Sequence, residues 1–469
     1  MFSFISCRHL FCILAAAWIS LALSAVRAEG VYSSDKPDLP NTPFTDAAAR
    51  VKNMPIIGGW EASLGGSMQT RAQSVDNRRD FRYDRNDEDF SIQNRVRVNF
   101  DLHYGDLVKV FVEAQDAHEF FRDRLPGSNP NEDSLDLYQA YVEIGLIKDI
   151  VDKPSLRFRL GRQEFRLGRE YLIGDKDWFN RGQSFDLARA TWMPDGFEVD
   201  FFGGAPVVFD DHNWNKTSDT HFYGSWLKAV GVPGGHIIEG GVFYKVNETD
   251  TFNGELGSKG AERIWVPTAR AEGVFHKNWD YALELTANFG TRGDDRVRGW
   301  RGDANLGYTI PFGWRSLRLG AAYGLSSGNA RPDDGKTERF DSLFPDPFIF
   351  HGKLFVAAGV NLEDYTAKIK ATPWRNGVIE IDYHRLHLQQ SRDFLFDAAS
   401  FSGTRRDPAG NSGKDVGHAI DIQITHKFHE NLLVTGGAFM HQPGHFFTHT
   451  GTQGDDFARN FFVMVRVGF

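Results

Sequence analysis

Beyond its first twelve residues the chain has no cysteine, since Cys7 and Cys12 are the only two. Both fall within residues 1–28, which read as a secretory leader. Arg8 gives the positive start, residues 10–23 the apolar stretch, and Val26-Arg27-Ala28 the small residues before a cut after Ala28. A chain cut there has no disulfide, thiolate metal site or cysteine nucleophile, and no cysteine at the cut to carry a lipid. Long apolar runs are also missing. The leader falls short of the roughly 18–20 residues that a spanning helix needs, nothing downstream comes closer, and mean hydropathy is −0.40. Positive charge is in deficit, with 53 Lys and Arg against 62 Asp and Glu, a net charge of −9. Loss of Arg8 and Arg27 deepens it. That balance argues against nucleic acid as a partner. There is no GxSxG, phosphate-loop or dinucleotide motif, and acids so numerous single out no glycosidase pair. An enzyme, such as a lipase-like barrel, has no sequence signal here, and neither cofactor nor metal is expected.

What the chain has instead is alternation. Residues 461–469 read FFVMVRVGF. Phe461, Val463, Val465, Val467 and Phe469 make one apolar row at period two, opposite Phe462, Met464, Arg466 and Gly468. In a soluble sandwich such a row points inward; in an outer-membrane barrel it points to lipid, and the mixed row lines the lumen. The stretch 90–102 decides between them. Phe90, Ile92, Val96, Val98, Phe100 and Leu102 oppose Ser91, Gln93, Arg95, Arg97, Asn99 and Asp101. Unpaired charges are costly in a protein core, so this second row fits a watery lumen. The pattern recurs through Val108–Val110–Val112 against Lys109 and Glu113, then Tyr138–Ala140–Val142–Ile144. It continues in Leu156–Phe158–Leu160 against Arg157 and Arg159, and in Leu317–Leu319–Ala321–Tyr323 against Arg318.

Connections alternate in length. Short ones at 104–106, 194–196, 233–235, 276–278, 311–313, 374–377 and 429–431 carry Gly, Asn or Pro. Long polar ones fall at 77–89, 117–134, 247–262, 328–352 and 390–417. The expectation is all-β: a transmembrane antiparallel barrel of the bacterial outer membrane with about eighteen strands, short periplasmic turns and long extracellular loops. It divides as leader 1–28, a polar, Pro-containing periplasmic segment 29–55, and barrel 56–469. A monomer surrounded by outer-membrane lipid and lipopolysaccharide is expected.

Residues 157–192 break the rhythm. Arg157, Arg159, Arg162, Arg166, Arg169, Arg181 and Arg189 crowd among Glu164, Glu170, Asp175, Asp177 and Asp186. One reading is a solvated loop with surface ion pairs of little worth. The other is a loop and its flanking strands folded toward the lumen, where guanidinium forks meet anionic solutes. His441, His445 and His449 sit four apart, a spacing that aligns metal ligands only on a helix, in a segment that reads as loop. Aspartates near 333–334, 407–415 and 455–456 match no EF-hand spacing.

The stretch LGRQEFRLGREYLIGDKDWFNRGQSFDLARATW (160–192) resembles the alginate export family. So do DANLGYTIPFGWRSLRLGAAYGLSSG (303–328) and FDSLFPDPFIFHG (340–352). The resemblance implies an eighteen-stranded barrel with an arginine-rich constriction. It assigns that constriction to Arg162, Arg166, Arg169, Arg181, Asp186 and Arg189. The inward rows add Arg95, Arg97, Arg157, Arg159, Arg318 and Arg466. The implied function is passive export of an anionic exopolysaccharide such as alginate, with periplasmic secretion partners. The alternative is an anion-selective porin for uptake of small acidic sugars or organic acids.

Overall fold

The computed structural model describes residues 51–78, 81, 88–122, 131–148, 154–210, 214–232, 235–255, 257–331, 334–398, 401–450 and 454–469. The expected leader, and residues 29–50 of the expected periplasmic segment, lie outside the described residues. Among them eighteen strands build one wall: β1 (Glu61–Asp76), β2 (Asp89–Tyr104), β3 (Val108–Phe120), β4 (Asp133–Lys148), β5 (Pro154–Gln163) and β6 (Phe185–Trp192). They continue as β7 (Phe197–Val208), β8 (His221–Val232), β9 (His236–Asn253), β10 (Lys259–Phe275), β11 (Trp279–Arg292) and β12 (Asp295–Phe312). The last six are β13 (Arg315–Ser326), β14 (Leu362–Ala371), β15 (Gly377–Leu388), β16 (Asp415–His429), β17 (Leu432–Pro443) and β18 (Ala458–Gly468). Each pairs antiparallel with the next, and β1 closes on β18 from Ser67↔Gly468 to Asp76↔Arg459. A closed sheet leaves no edge, so every wall strand finds backbone partners on both sides, as a lipid environment requires.

The alternation read from the sequence becomes two faces. On β11, Leu285 is 68% exposed while its neighbours Glu284 and Thr286 are 8% and 5% exposed. On β18, Phe461 and Val463 are exposed and Phe462 and Met464 buried. Here the apolar row is the exposed one, the inverse of a soluble fold. Exposed aromatic residues (Tyr104, Trp192, Phe197, Trp279, Trp314 and Trp374) ring the short-turn end, as in the interfacial girdles of membrane barrels.

Two expectations fail locally. Tyr138 was placed on the outward row, but it is 2% exposed and points inward. A bulge explains it: Glu113 pairs with Gln139 and Ala114 with Leu137, which leaves Tyr138 as the extra residue. The long loop expected at 247–262 is mostly strand. Asn247 pairs with Glu262 and Phe252 with Gly260, so β9 and β10 run on to a tight connection at 254–258. The β-branched Thr249 and Thr251 are consistent with strand there.

Candidate functional site

The connection 164–184 (loop A) turns into the lumen. Its Phe165, Leu167, Leu172 and Ile173 pack on inward-facing Phe202, Phe222, Phe243 and Ile264 of the wall. The connection 327–361 (loop B) does the same, which corrects its reading as a polar external loop. Its Phe340, Leu343 and Phe344 join that cluster. The two loops are laced together. Ile173 and Phe344 form a parallel bridge, Phe344 N donates to Leu172 O at 2.8 Å, and Gly174 N donates to Phe344 O at 3.0 Å. A side chain at Gly174 would lie 2.9 Å from the Asp346 backbone nitrogen, so glycine permits this approach. Trp178 stacks on Phe348 at 3.9 Å and 8°, and Tyr171 on Phe350 at 3.4 Å and 17°. The buried Glu170, Asp175 and Asp346 bring carboxylate oxygens within 4.8 Å of one another where the loops meet. That is an all-oxygen donor set of the kind hard cations take, and none of the aspartate clusters noted in the sequence is part of it.

Wall side chains bolt both loops in place. Asp177 of loop A accepts from Arg95 at 2.7 Å and faces Arg466 at 2.9 Å. Arg71 Nη1 donates to Trp178 O at 2.6 Å. Glu164 accepts from Arg97 and from Tyr138 Oη, each at 2.9 Å. Asn180 Nδ2 lies 3.0–3.1 Å from the carbonyl oxygens of Asn94, His118 and Asn131. In loop B, Asp341 Oδ2 accepts from Lys245 and Arg292, each at 2.8 Å, and His351 Nδ1 lies 2.9 Å from Asp364. Burial alone would raise the Asp341 carboxyl; Lys245 and Arg292 outweigh it and hold it down at about 2. A depressed carboxylate stabilises above its unfolded value near 4, and that contribution goes as pH falls from there through 2. It is worth roughly 2 kcal/mol. Hydrogen exchange of the amides of 340–346 should therefore be slow at pH 7 and at least ten-fold faster, relative to the intrinsic rate, near pH 2. Unchanged protection would mean that Asp341 does not anchor the loop.

The arginines picked out in the sequence divide by place. Arg95, Arg97 and Arg466 face inward as bolts. Arg159 pairs with Glu143 at 2.5 Å and Arg157 reaches the same carboxylate at 3.9 Å. Arg189 makes a two-pronged pair with Asp200, both contacts 2.7 Å, and Arg318 one with Asp280 at 2.8 and 2.6 Å. Arg166 faces Asp175 at 3.5 Å. Arg162 and Asp186 are brought together at 2.9 Å, but not in the lumen. Arg162 pairs across strands with Ala140 and Asp186 with Ala205, on the outward row that also carries Leu160. Arg169 lies over a cavity of about 40 Å³ lined also by Glu284, Asp303, Lys368 and His384. The expected loop around the three histidines contains a helical turn, His445–His449, while buried His441 contacts Val416 O.

Arg181 borders a larger space. A cavity of about 680 Å³ lies on the long-connection side of the Trp178–Phe348 stack, between wall strands, both loops and the connections that carry Phe81, Arg405 and Phe447. Among the described residues its lining holds seven cationic side chains and three carboxylates. Six of the seven, Arg71, Arg78, Arg122, Lys176, Lys353 and Arg405, were not singled out from sequence. Arg71 continues the inward row of Ser67 and Gln69 by two residues, a signal present in the alternation. The other five sit in connections between wall strands, where no period marks them.

The family model described as alginate export matches residues 60–460. The chain belongs to the alginate export family. No curated protein matches it by sequence. Among solved structures it resembles OccK2 (OpdF) of Pseudomonas aeruginosa, with a TM-score of 0.56 at 9% identity over 87% of this chain and 97% of that one. OccK2 in complex with glucuronate gives 0.55 at 10% identity over 87% and 98%. OccAB4 of Acinetobacter baumannii gives 0.55 at 11% over the same shares. At these identities the likeness is one of fold, and the fold is that of outer-membrane porins. Family and architecture together make this alginate export family member an outer-membrane pore, and are those of channels rather than enzymes.

Proposed function

We propose that the barrel is a passive pore for an anionic exopolysaccharide, a polyuronate such as alginate, carried outward across the outer membrane. The observation that carries this reading is the charge of the free lumen. The wall pairs most of its arginines with acids, yet among the described residues the 680 Å³ cavity beside the loops has seven cations against three carboxylates. Low-dielectric walls focus such a field, and a path of weak cationic contacts lets an anion enter and leave. The twelve residues taken from the sequence then have separate parts. Arg169 and Arg181 border open space, Arg95, Arg97 and Arg466 set the position of loop A, Arg166 pairs with Asp175 within that loop, and the ion-paired remainder shape the wall. Periplasmic secretion partners would deliver the polymer to the short-turn end. Uptake of small acidic sugars is the second reading, favoured by the position of the cavity on the long-connection side.

The refolded protein in a planar bilayer tests the class of solute. An anion-selective current blocked by oligouronate, and not by a neutral oligosaccharide of equal length, is expected. A current that neither ligand blocks would overturn the saccharide reading. Block from the short-turn side at lower concentration supports export, and block from the opposite side supports uptake.

A further inference from the structure

We propose that Arg296 and Arg298, on the lipid-facing row of β12, hold the phosphate groups of a lipopolysaccharide molecule in the outer leaflet. The inference rests on the placement of the barrel in the outer membrane, and not on the solute that the pore carries.

The level of the two arginines follows from counting along the wall. Trp279 belongs to the aromatic ring at the short-turn end, and exposed Phe289 lies ten residues farther along the same strand. A tilted strand crosses the hydrocarbon in about 9–11 residues, so Phe289 marks its far edge. Arg298 lies opposite Phe289 from one side and Trp265 from the other. One step farther out, Arg296 and Arg263 flank Thr291 in the same way. On β12 the alternate residues Asp295, Val297, Gly299 and Arg301 are buried, which leaves Arg296 and Arg298 on the outward row. The pair therefore stands where hydrocarbon gives way to head groups. Long connections face the cell exterior in such barrels, which makes this the outer leaflet.

What sets the two apart is the lack of an acid. Other outward arginines toward the same end each meet a carboxylate. Arg162 takes Asp186 at 2.9 Å, Arg385 takes Asp415 at 2.7 Å and Arg459 takes Asp76 at 2.6 Å. Arg263 takes Glu248. Lys336, opposite Arg296 across a parallel pairing, faces Asp334 at 3.5 Å, and Glu338 accepts from the Ala330 amide at 3.3 Å. Arg296 and Arg298 are both exposed and make no ion pair among the described residues. A cation at the membrane interface keeps its charge at little cost, and the anionic groups of the leaflet are there to answer it.

The surroundings narrow the ligand. Guanidinium forks take phosphate through two parallel bonds. Residues two apart on a strand stand roughly 7 Å apart on one face, a spacing that suits a phosphate-bearing sugar. Below them the exposed Trp300, Leu285 and Leu306 continue an apolar surface for acyl chains. A free phosphate ion would use the guanidiniums alone. A lipid with phosphorylated sugar above and chains below uses both.

The test is native mass spectrometry of the full chain released from detergent. The probes are diphosphoryl lipid A, its dephosphorylated form, phosphatidylglycerol and inorganic phosphate. Diphosphoryl lipid A should bind at least ten-fold more tightly than the dephosphorylated form, and Arg296→Gln with Arg298→Gln should remove that advantage. Arg385→Gln, which touches an arginine already paired, should leave it in place. Heat-shifted mobility on a gel checks that the barrel has folded. If the double variant fails that check, either single replacement serves, with a loss of about three-fold expected. A folded variant that holds lipid A like the parent overturns the site, and so does an equal loss with Arg385→Gln. Phosphatidylglycerol held as tightly as lipid A overturns the choice of lipopolysaccharide. Displacement of lipid A by an equal concentration of phosphate overturns a lipid site altogether.

Discussion

Replacing Asp177 with alanine will raise the single-channel current several-fold and shift it further toward anions. Asp177 of loop A takes arginines from two wall strands at once, Arg95 of β2 and Arg466 of β18. Those side chains are 6% and 14% exposed. Removing the shared partner of a buried pair typically costs about 3–5 kcal/mol, chiefly because the charge left behind has no answer. Here two charges are left, on either side of the strand that closes the barrel. They can regain water only if loop A moves off the wall, and that movement widens the passage. Asp177→Asn keeps the volume and an acceptor and should fall between parent and alanine. The measurement is conductance together with the reversal potential in a salt gradient. Conductance and selectivity both unchanged would place the hold on loop A elsewhere, with Asn180 and its three carbonyl contacts the next to test.

The sequence carried the wall well and the loops poorly, for one reason. A strand between lipid and lumen must alternate, so Phe90 to Leu102 or Leu317 to Tyr323 declare face and register in their own order of residues. Alternation also misleads where register changes. Tyr138 continues an apolar row by count, and only the pairing of Leu137 and Gln139 across β3 reveals the bulge that turns it inward. Arg162 and Asp186 looked like lumen charges because their stretch is arginine-rich. Yet Leu160 and Arg162 are two apart on one strand and must share a face. Loop B carries a different signal. Phe340, Leu343, Phe344, Phe348 and Phe350 are too apolar for an external loop, and all are wholly or partly buried. Their contacts with loop A, Leu172 to Phe344, Trp178 to Phe348 and Tyr171 to Phe350, join residues more than a hundred positions apart, and no local period encodes such a distance.

Trp178→Ala separates packing from charge. Trp178 is 5% exposed. It stacks on Phe348 of loop B at 3.9 Å, meets Phe462 of β18 edge-on at 4.9 Å, and lies under the Arg71 guanidinium. It is where loop A, loop B and the wall touch at one side chain. Truncating a buried tryptophan costs about 3–5 kcal/mol, and the bond from Arg71 to the Trp178 carbonyl cannot replace the lost stack. The two loops should part, and conductance should rise with frequent partial closures. No charge has changed, so the reversal potential should stay where it was. That contrast is the useful result. If Asp177→Ala moves both conductance and selectivity while Trp178→Ala moves conductance alone, the loops limit the width of the pore and the cations beside them set its preference for anions. If Trp178→Ala shifts selectivity as strongly, the aromatic seam itself positions the charges, and width and preference are a single property of the two loops.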